Sequence, residues 1–155
     1  MRRAVAVLLV ALTPIALVLG LSRIRIPVIS PELEPSDLSY QIDSISLQNG
    51  TFSMDGYLLK RGDSQWYAQS NKHVWLQSKD GVYYQLQTIE YIRGDAPDEA
   101  DGMSYRYCGF RVNTDISDLL DKSTTYNIIL VYQKQGMLYS CDTGLTIAGG
   151  QLIDS

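Results

Sequence analysis

The stretch Val74-Trp-Leu-Gln-Ser-Lys-Asp-Gly-Val-Tyr-Tyr-Gln-Leu86 admits one sensible hairpin, and that hairpin dictates how the rest of the chain must be layered. A three-residue loop at Lys79-Asp80-Gly81, with Gly81 in the left-handed position, pairs Val82 with Ser78. Tyr84 then lies opposite Leu76 and Leu86 opposite Val74, so one face is consistently apolar. A two-residue loop sets Leu76 against Gln85 and mixes the faces, which a half-buried sheet does not tolerate. The accepted register sends Trp75, Gln77, Tyr83 and Gln85 to the opposite face, an indole and a phenol among amides.

Strand signals recur at short intervals along the chain. They are residues 40–47, 52–59 after the Asn49-Gly50 turn, 74–77, 82–86, 105–112, 126–133 and 137–146. About seven strands in one domain predict an all-β, immunoglobulin-like β-sandwich. The single helical hint is at residues 115–120, where Asp115 is placed to cap a first turn.

The folded region is expected over residues 40–155, because what precedes it has another character. Residues 1–23 begin with Arg2 and Arg3 and continue with an uncharged apolar run at residues 4–22, long enough to span a bilayer as a transmembrane helix. Two fates stay open: an uncleaved signal-anchor, which the length favours, or cleavage and secretion. The expected placement is a cell membrane, crossed once, with the C-terminal domain outside the cytoplasm. Pro27, Pro31 and Pro35 make residues 24–39 an extended spacer.

Nucleic acid is excluded as a partner by charge. Lys and Arg number 13 against 17 Asp and Glu, a net charge of −4, with no basic run beyond the N-terminal segment. Cys108 and Cys141 are the only cysteines, and by strand parity both point inward. In an exported domain such a pair predicts a disulfide, closing a loop of about 32 residues and contributing roughly 3–4 kcal/mol in the chain-entropy account. Two separate buried thiols are the alternative.

No catalytic constellation is legible. His73 is the only histidine, no Gly-x-Ser-x-Gly elbow occurs, and two cysteines with one histidine lack metal-ligand spacing. No cofactor is expected and the protein is read as a non-enzyme. The acidic positions Asp95, Asp98, Glu99 and Asp101 do not match a calcium loop and read as solvated. Arg-Gly-Asp occurs at Arg61–Asp63 and Arg93–Asp95, where turn chemistry competes with an adhesion reading. Asn49-Gly50-Thr51 is a glycosylation sequon that the hairpin turn already explains.

Eleven tyrosines and two tryptophans against two phenylalanines tilt the chain toward rings suited to half-wet surfaces. Trp75, Gln77, Tyr83 and Gln85, extended by Trp66 in the preceding loop, are the candidate glycan platform. The competing assignment buries Trp75 against a second sheet.

The order of motifs also carries a resemblance. Ile42-Asp43, Gly56-Tyr57, Val74-Trp-Leu76, Tyr91-Ile-Arg93-Gly-Asp95, Cys108-Gly-Phe110, Asp115, Leu119-Leu120, Tyr126-Asn-Ile128 and Tyr139 form a series. It resembles the immunoglobulin-like β-sandwich module that accompanies bacterial cell-surface glycan glycosyltransferases and other envelope polysaccharide proteins. The chain departs from that pattern in Tyr57 for a tryptophan, Gly94-Asp95-Ala96 after the arginine and Cys108 for a serine. The resemblance implies a cell-envelope glycan or an envelope protein as partner. The alternative is a structural, assembly or adhesion protein acting through protein contacts.

Alkaline phosphatase fused after Ser155 should be active in a bacterial host. An inactive phosphatase, with a fluorescent cytoplasmic fusion at the same point, would refute the extracytoplasmic placement.

Overall fold

The computed structural model describes residues 24–26, 33–35, 38–65, 70–95, 104–119 and 123–154. The expected transmembrane segment at residues 4–22, together with Trp66, Asp98, Glu99 and Asp101, lies outside them. Among the described residues no helix is long and apolar enough to cross a membrane.

The fold is all-β. Its strands are β1 (Ile24–Ile26), β2 (Leu33–Pro35), β3 (Leu38–Gln48), β4 (Thr51–Lys60), β5 (Asn71–Ser78), β6 (Tyr83–Leu86), β7 (Thr88–Tyr91), β8 (Gly109–Asp115), β9 (Thr125–Lys134), β10 (Met137–Ala148) and β11 (Gln151–Asp154). A long sheet runs β1-β6-β5-β9-β10-β11, with β2 parallel to β10, and a four-stranded sheet runs β3-β4-β8-β7. All other pairings are antiparallel.

The described strands outnumber the seven expected. Two of them, β1 and β2, come from the proline-containing spacer and pair with the long sheet. Two more, β7 and β11, have four residues each, too few for alternation to reveal them.

The hairpin register derived from sequence holds residue for residue. Val74 faces Leu86, Trp75 faces Gln85, Leu76 faces Tyr84 and Gln77 faces Tyr83. Gly81 has φ +74°, the left-handed value the loop requires, and the Ser78 N–H donates to the Val82 carbonyl at 2.9 Å. The Asn49-Gly50 turn closes β3 on β4 as expected, with Gln48 opposite Thr51.

Side chains from both sheets meet in one core. Val74, Leu76, Ile128, Leu130 and Tyr132 come from the long sheet, and Phe52, Met54, Leu58, Phe110 and Val112 from the short one. Each large apolar side chain taken from water contributes about 1.5–3 kcal/mol. Strand β4 alternates buried and half-buried positions, as a strand with one wet face must. In β9, by contrast, Ile128 to Tyr132 are all buried, so both faces of the long sheet are dry there.

The chain switches sheets between β6 and β7 through one residue, Gln87. Thr88 holds the corner, its hydroxyl accepting from the Val74 N–H at 3.2 Å and donating to the Leu86 carbonyl at 3.1 Å. One strand further in, Lys72 is 1% exposed, and its ammonium donates to Glu90 of β7 at 2.8 Å. The ammonium also lies 5.8 Å from the Tyr107 ring centroid and 5.9 Å from that of Tyr132.

Residues 115–119 make a single turn and no longer helix: the Asp115 carboxylate caps it, accepting the Ser117 N–H at 2.9 Å and the Ser117 hydroxyl, and the Leu119 N–H donates to the Ile116 carbonyl at 2.8 Å. The strand expected from residue 105 begins at Gly109. The backbone of residues 104–108 is bonded instead to three other segments, through Gln65, Arg93 and Leu58.

The cysteine pair requires a correction: both are free thiols. Cys108 is fully buried and Cys141 partly so, but in different company, and Cys108 precedes β8 and so has no strand parity to follow. Cys108 packs with Leu59, Tyr105 and Tyr57, whereas Cys141 borders the main core from β10. Parity establishes direction and not distance, and a disulfide needs both. Burial raises the Cys108 thiol pKa, and burial followed by the Asp142 charge pushes Cys141 up to about 11. A thiol held protonated is a poor nucleophile. Native protein at pH 8 should therefore resist iodoacetamide at both positions, and both should alkylate after denaturation without reductant. A linked 108–141 peptide in that digest would refute the assignment.

Candidate functional site

The outward face of the long sheet does gather the residues expected of a platform. The Trp75 and Tyr83 rings meet edge-on with centroids 5.6 Å apart, and Gln77 Nε2 donates to the Tyr83 hydroxyl at 2.7 Å. Gln85 Nε2 lies 3.1 Å from His73 Nδ1 and Gln133 Oε1 lies 3.2 Å from His73 Nε2, so two amides bracket the imidazole.

The face is nevertheless dry where a sugar would have to stack. Trp75 is 3% exposed and Tyr83 7%, and they cluster with Ile129, Val131 and Leu138. Neither sequence alternative described this outcome. The parity is as derived, and Trp75 is apart from the inter-sheet core, yet it belongs to a second apolar cluster. Ile129 and Val131 of β9 share the face and continue its apolar surface beside the indole. Among the described residues the indole N–H has no hydrogen-bond partner.

A wet, chemically varied surface is found instead on the outward side of the four-stranded sheet. Tyr57 of β4 and Tyr91 of β7 flank Gly109 of β8 in one cross-strand row. A Cβ on Gly109 would stand 2.8 Å from atoms of the Tyr91 ring, so only glycine lets that ring lie down on the sheet. In the next row Asp55 faces Arg111. The Tyr91 hydroxyl donates to Asp55 at 2.5 Å, and Arg111 Nε–H donates to the same carboxylate. The Arg111 guanidinium lies 5.2 Å from the Tyr91 ring centroid and is 59% exposed at its side chain.

A second clamp adjoins the first. Arg93 donates to Asp95 through Nε at 2.9 Å and Nη2 at 2.6 Å, and to Asp43 through Nη1. Its guanidinium stands 5.5 Å from the Tyr57 ring centroid. Asp43 is the residue skipped where the β3–β4 register shifts between Ile42 and Ser44, and that bulge turns its carboxylate toward Arg93.

These contacts set the charge states. Hydrogen bonding to Asp95, then to Asp43, keeps Arg93 firmly protonated, and the Arg93 partnership lowers the Asp95 carboxyl. Burial, then the bond to Asp55, pushes the Tyr91 phenol up to about 12, so it remains a donor throughout the neutral range.

Sequence reasoning did not assemble this face. Asp43, Tyr57, Tyr91, Arg93 and Asp95 all occur in the motif series read from the sequence, but only folding shows that they converge. The aspartates of both Arg-Gly-Asp triplets are engaged within the protein. Arg93 and Asp95 bind each other, while Asp63 accepts from the Tyr132 hydroxyl at 2.8 Å and from Lys134. Among the described residues no group of three His, Cys, Asp or Glu side chains is arranged to hold a metal ion.

Compared with protein families, curated proteins and solved structures, the chain matches none.

Trp75→Ala should cost about 3–5 kcal/mol in urea unfolding, the range for truncating a core tryptophan. An unchanged unfolding midpoint would show that the indole is dispensable to packing.

Proposed function

We propose that the chain is a non-catalytic, membrane-anchored module of a bacterial cell envelope, an immunoglobulin-like sandwich that binds a surface glycan outside the cytoplasm. The binding face is the outward side of the four-stranded sheet, centred on Tyr57, Tyr91 and Arg111, with Arg93, 9% exposed at its side chain, bracing it from beneath. The observation that carries this reading is the pairing of two tyrosine rings with two carboxylate-clamped guanidiniums on a half-wet sheet face.

The chemistry suits a sugar. Ring C–H faces pack on phenol rings, while hydroxyls exchange hydrogen bonds with the carboxylates and guanidiniums that border them. The clamps hold these groups in one geometry before a ligand arrives, which lowers the ordering cost of binding. The N-terminal apolar run supports an anchor, and the motif series supports an envelope role.

A protein partner is the second reading, favoured by Ile89 and Ile92. They are 61% and 60% exposed, in and just after β7, the edge strand among the described residues.

The test is retention of the purified full-length chain, in detergent, on an array of envelope oligosaccharides. Tyr91→Ala and Arg111→Ala should each weaken retention of the bound glycan about tenfold, a loss of about 1.4 kcal/mol, with the melting temperature within about 2 °C of the parent. Gly109→Ala should act the same way by lifting the Tyr91 ring. Undiminished retention by all three folded variants would refute this face as the site, and no retention by the parent would refute glycan binding.

A further inference from the structure

The charge balance of the face narrows the ligand. We infer that it binds an uncharged sugar and discriminates against uronate- and phosphate-bearing glycans; this rests on the glycan reading above.

Both guanidiniums are already neutralised by the protein. Arg93 is held between Asp43 and Asp95, and Arg111 is engaged by Asp55. Three carboxylates thus meet two cations, leaving this constellation with one surplus negative charge. An incoming carboxylate or phosphate at the outer N–H groups of Arg111 would stand beside the Asp55 carboxylate that already balances that guanidinium, and one seeking Arg93 would have to displace Asp43 or Asp95. Like charges brought together in this way cost free energy and act as a device of specificity. The chain's net charge of −4 adds no long-range attraction for an anionic polymer.

A neutral hydroxyl meets no such barrier. It donates to carboxylate lone pairs that the arginines leave unused, and it accepts from guanidinium N–H groups. Arg111 uses its Nε–H on Asp55 and is largely exposed, so its outer N–H groups face solvent where a hydroxyl can reach them. Tyr91 keeps its proton on Asp55 and presents its ring, not a charge.

The experiment uses the full-length chain on an array carrying neutral oligosaccharides and counterparts bearing uronate or phosphate. The parent should retain neutral glycans at least about tenfold better than their acidic counterparts. Retention should change less than about twofold when NaCl is raised from ~0.05 M to ~0.5 M, since no net charge is exchanged on binding. Asp55→Asn releases Arg111 from its carboxylate. That variant, checked for an unchanged melting temperature, should gain about tenfold in retention of acidic glycans, and salt should abolish the gain.

Preferential, salt-sensitive retention of acidic glycans by the parent would overturn the inference while leaving glycan binding intact. A folded Asp55→Asn chain with no gain would also overturn it, because the carboxylate would then not be the barrier. Retention of nothing by the parent would overturn the glycan reading, and this inference with it.

Discussion

The middle of the long sheet is apolar on both sides, and this constraint allots roles to every other surface. Val74 and Leu76 of β5 and Ile128 and Leu130 of β9 point into the inter-sheet core, while Trp75, Ile129 and Val131 point the other way and are just as dry. A strand pair of this kind has no solvent face to offer. The four-stranded sheet differs, because β4 and β8 alternate buried residues with polar ones such as Ser53, Asp55, Arg111 and Asn113. Exposed chemistry therefore collects on the shorter sheet, whose outward face can carry charge without desolvating it.

The same economy governs charge at the seam between sheets. Lys72 points into the core from β5, where an unpaired ammonium would be prohibitively costly, and Glu90 reaches it from β7. A buried pair of this kind is weak evidence for stability, since desolvation offsets much of the attraction. Its value here is positional. It ties the two sheets beside the corner at Gln87, and an inward-pointing charge on an edge strand also disfavours adventitious pairing there. The strand so fixed is the one that presents Tyr91.

Much of this was legible in the sequence, and the failures have physical causes. Turn chemistry and alternation sufficed for the all-β class, the Asn49-Gly50 hairpin and the full register of β5 on β6, because those are local. Alternation assigns Trp75 to a face but says nothing about what that face meets. The unbroken runs Val74-Trp75-Leu76 and Ile128 to Val131 held the warning, since continuous apolar stretches mark strands buried on both sides. The Arg93 and Arg111 clamps were out of reach. They join a bulge residue of β3, strands β4 and β8, and the segment after β7, and no local rule relates those positions. Cys108 and Cys141 failed similarly: Cys108 precedes β8 and joins the cluster of Leu59 and Tyr105, so the strand parity that served for Cys141 did not apply to it.

The pairing of β2 with β10 imposes an order of events on the chain. Leu33 lies beside Leu138, so an early strand finds its neighbour roughly 100 residues further along the chain. Synthesis delivers β2 long before β10 exists, and until then its backbone N–H and C=O groups have only water to bond. The four-stranded sheet has no such debt, because β3, β4, β7 and β8 are all present once residue 115 has emerged. The short sheet is thus positioned to assemble first as a template, and β2 to be captured last, when the closing hairpin of β9 and β10 arrives.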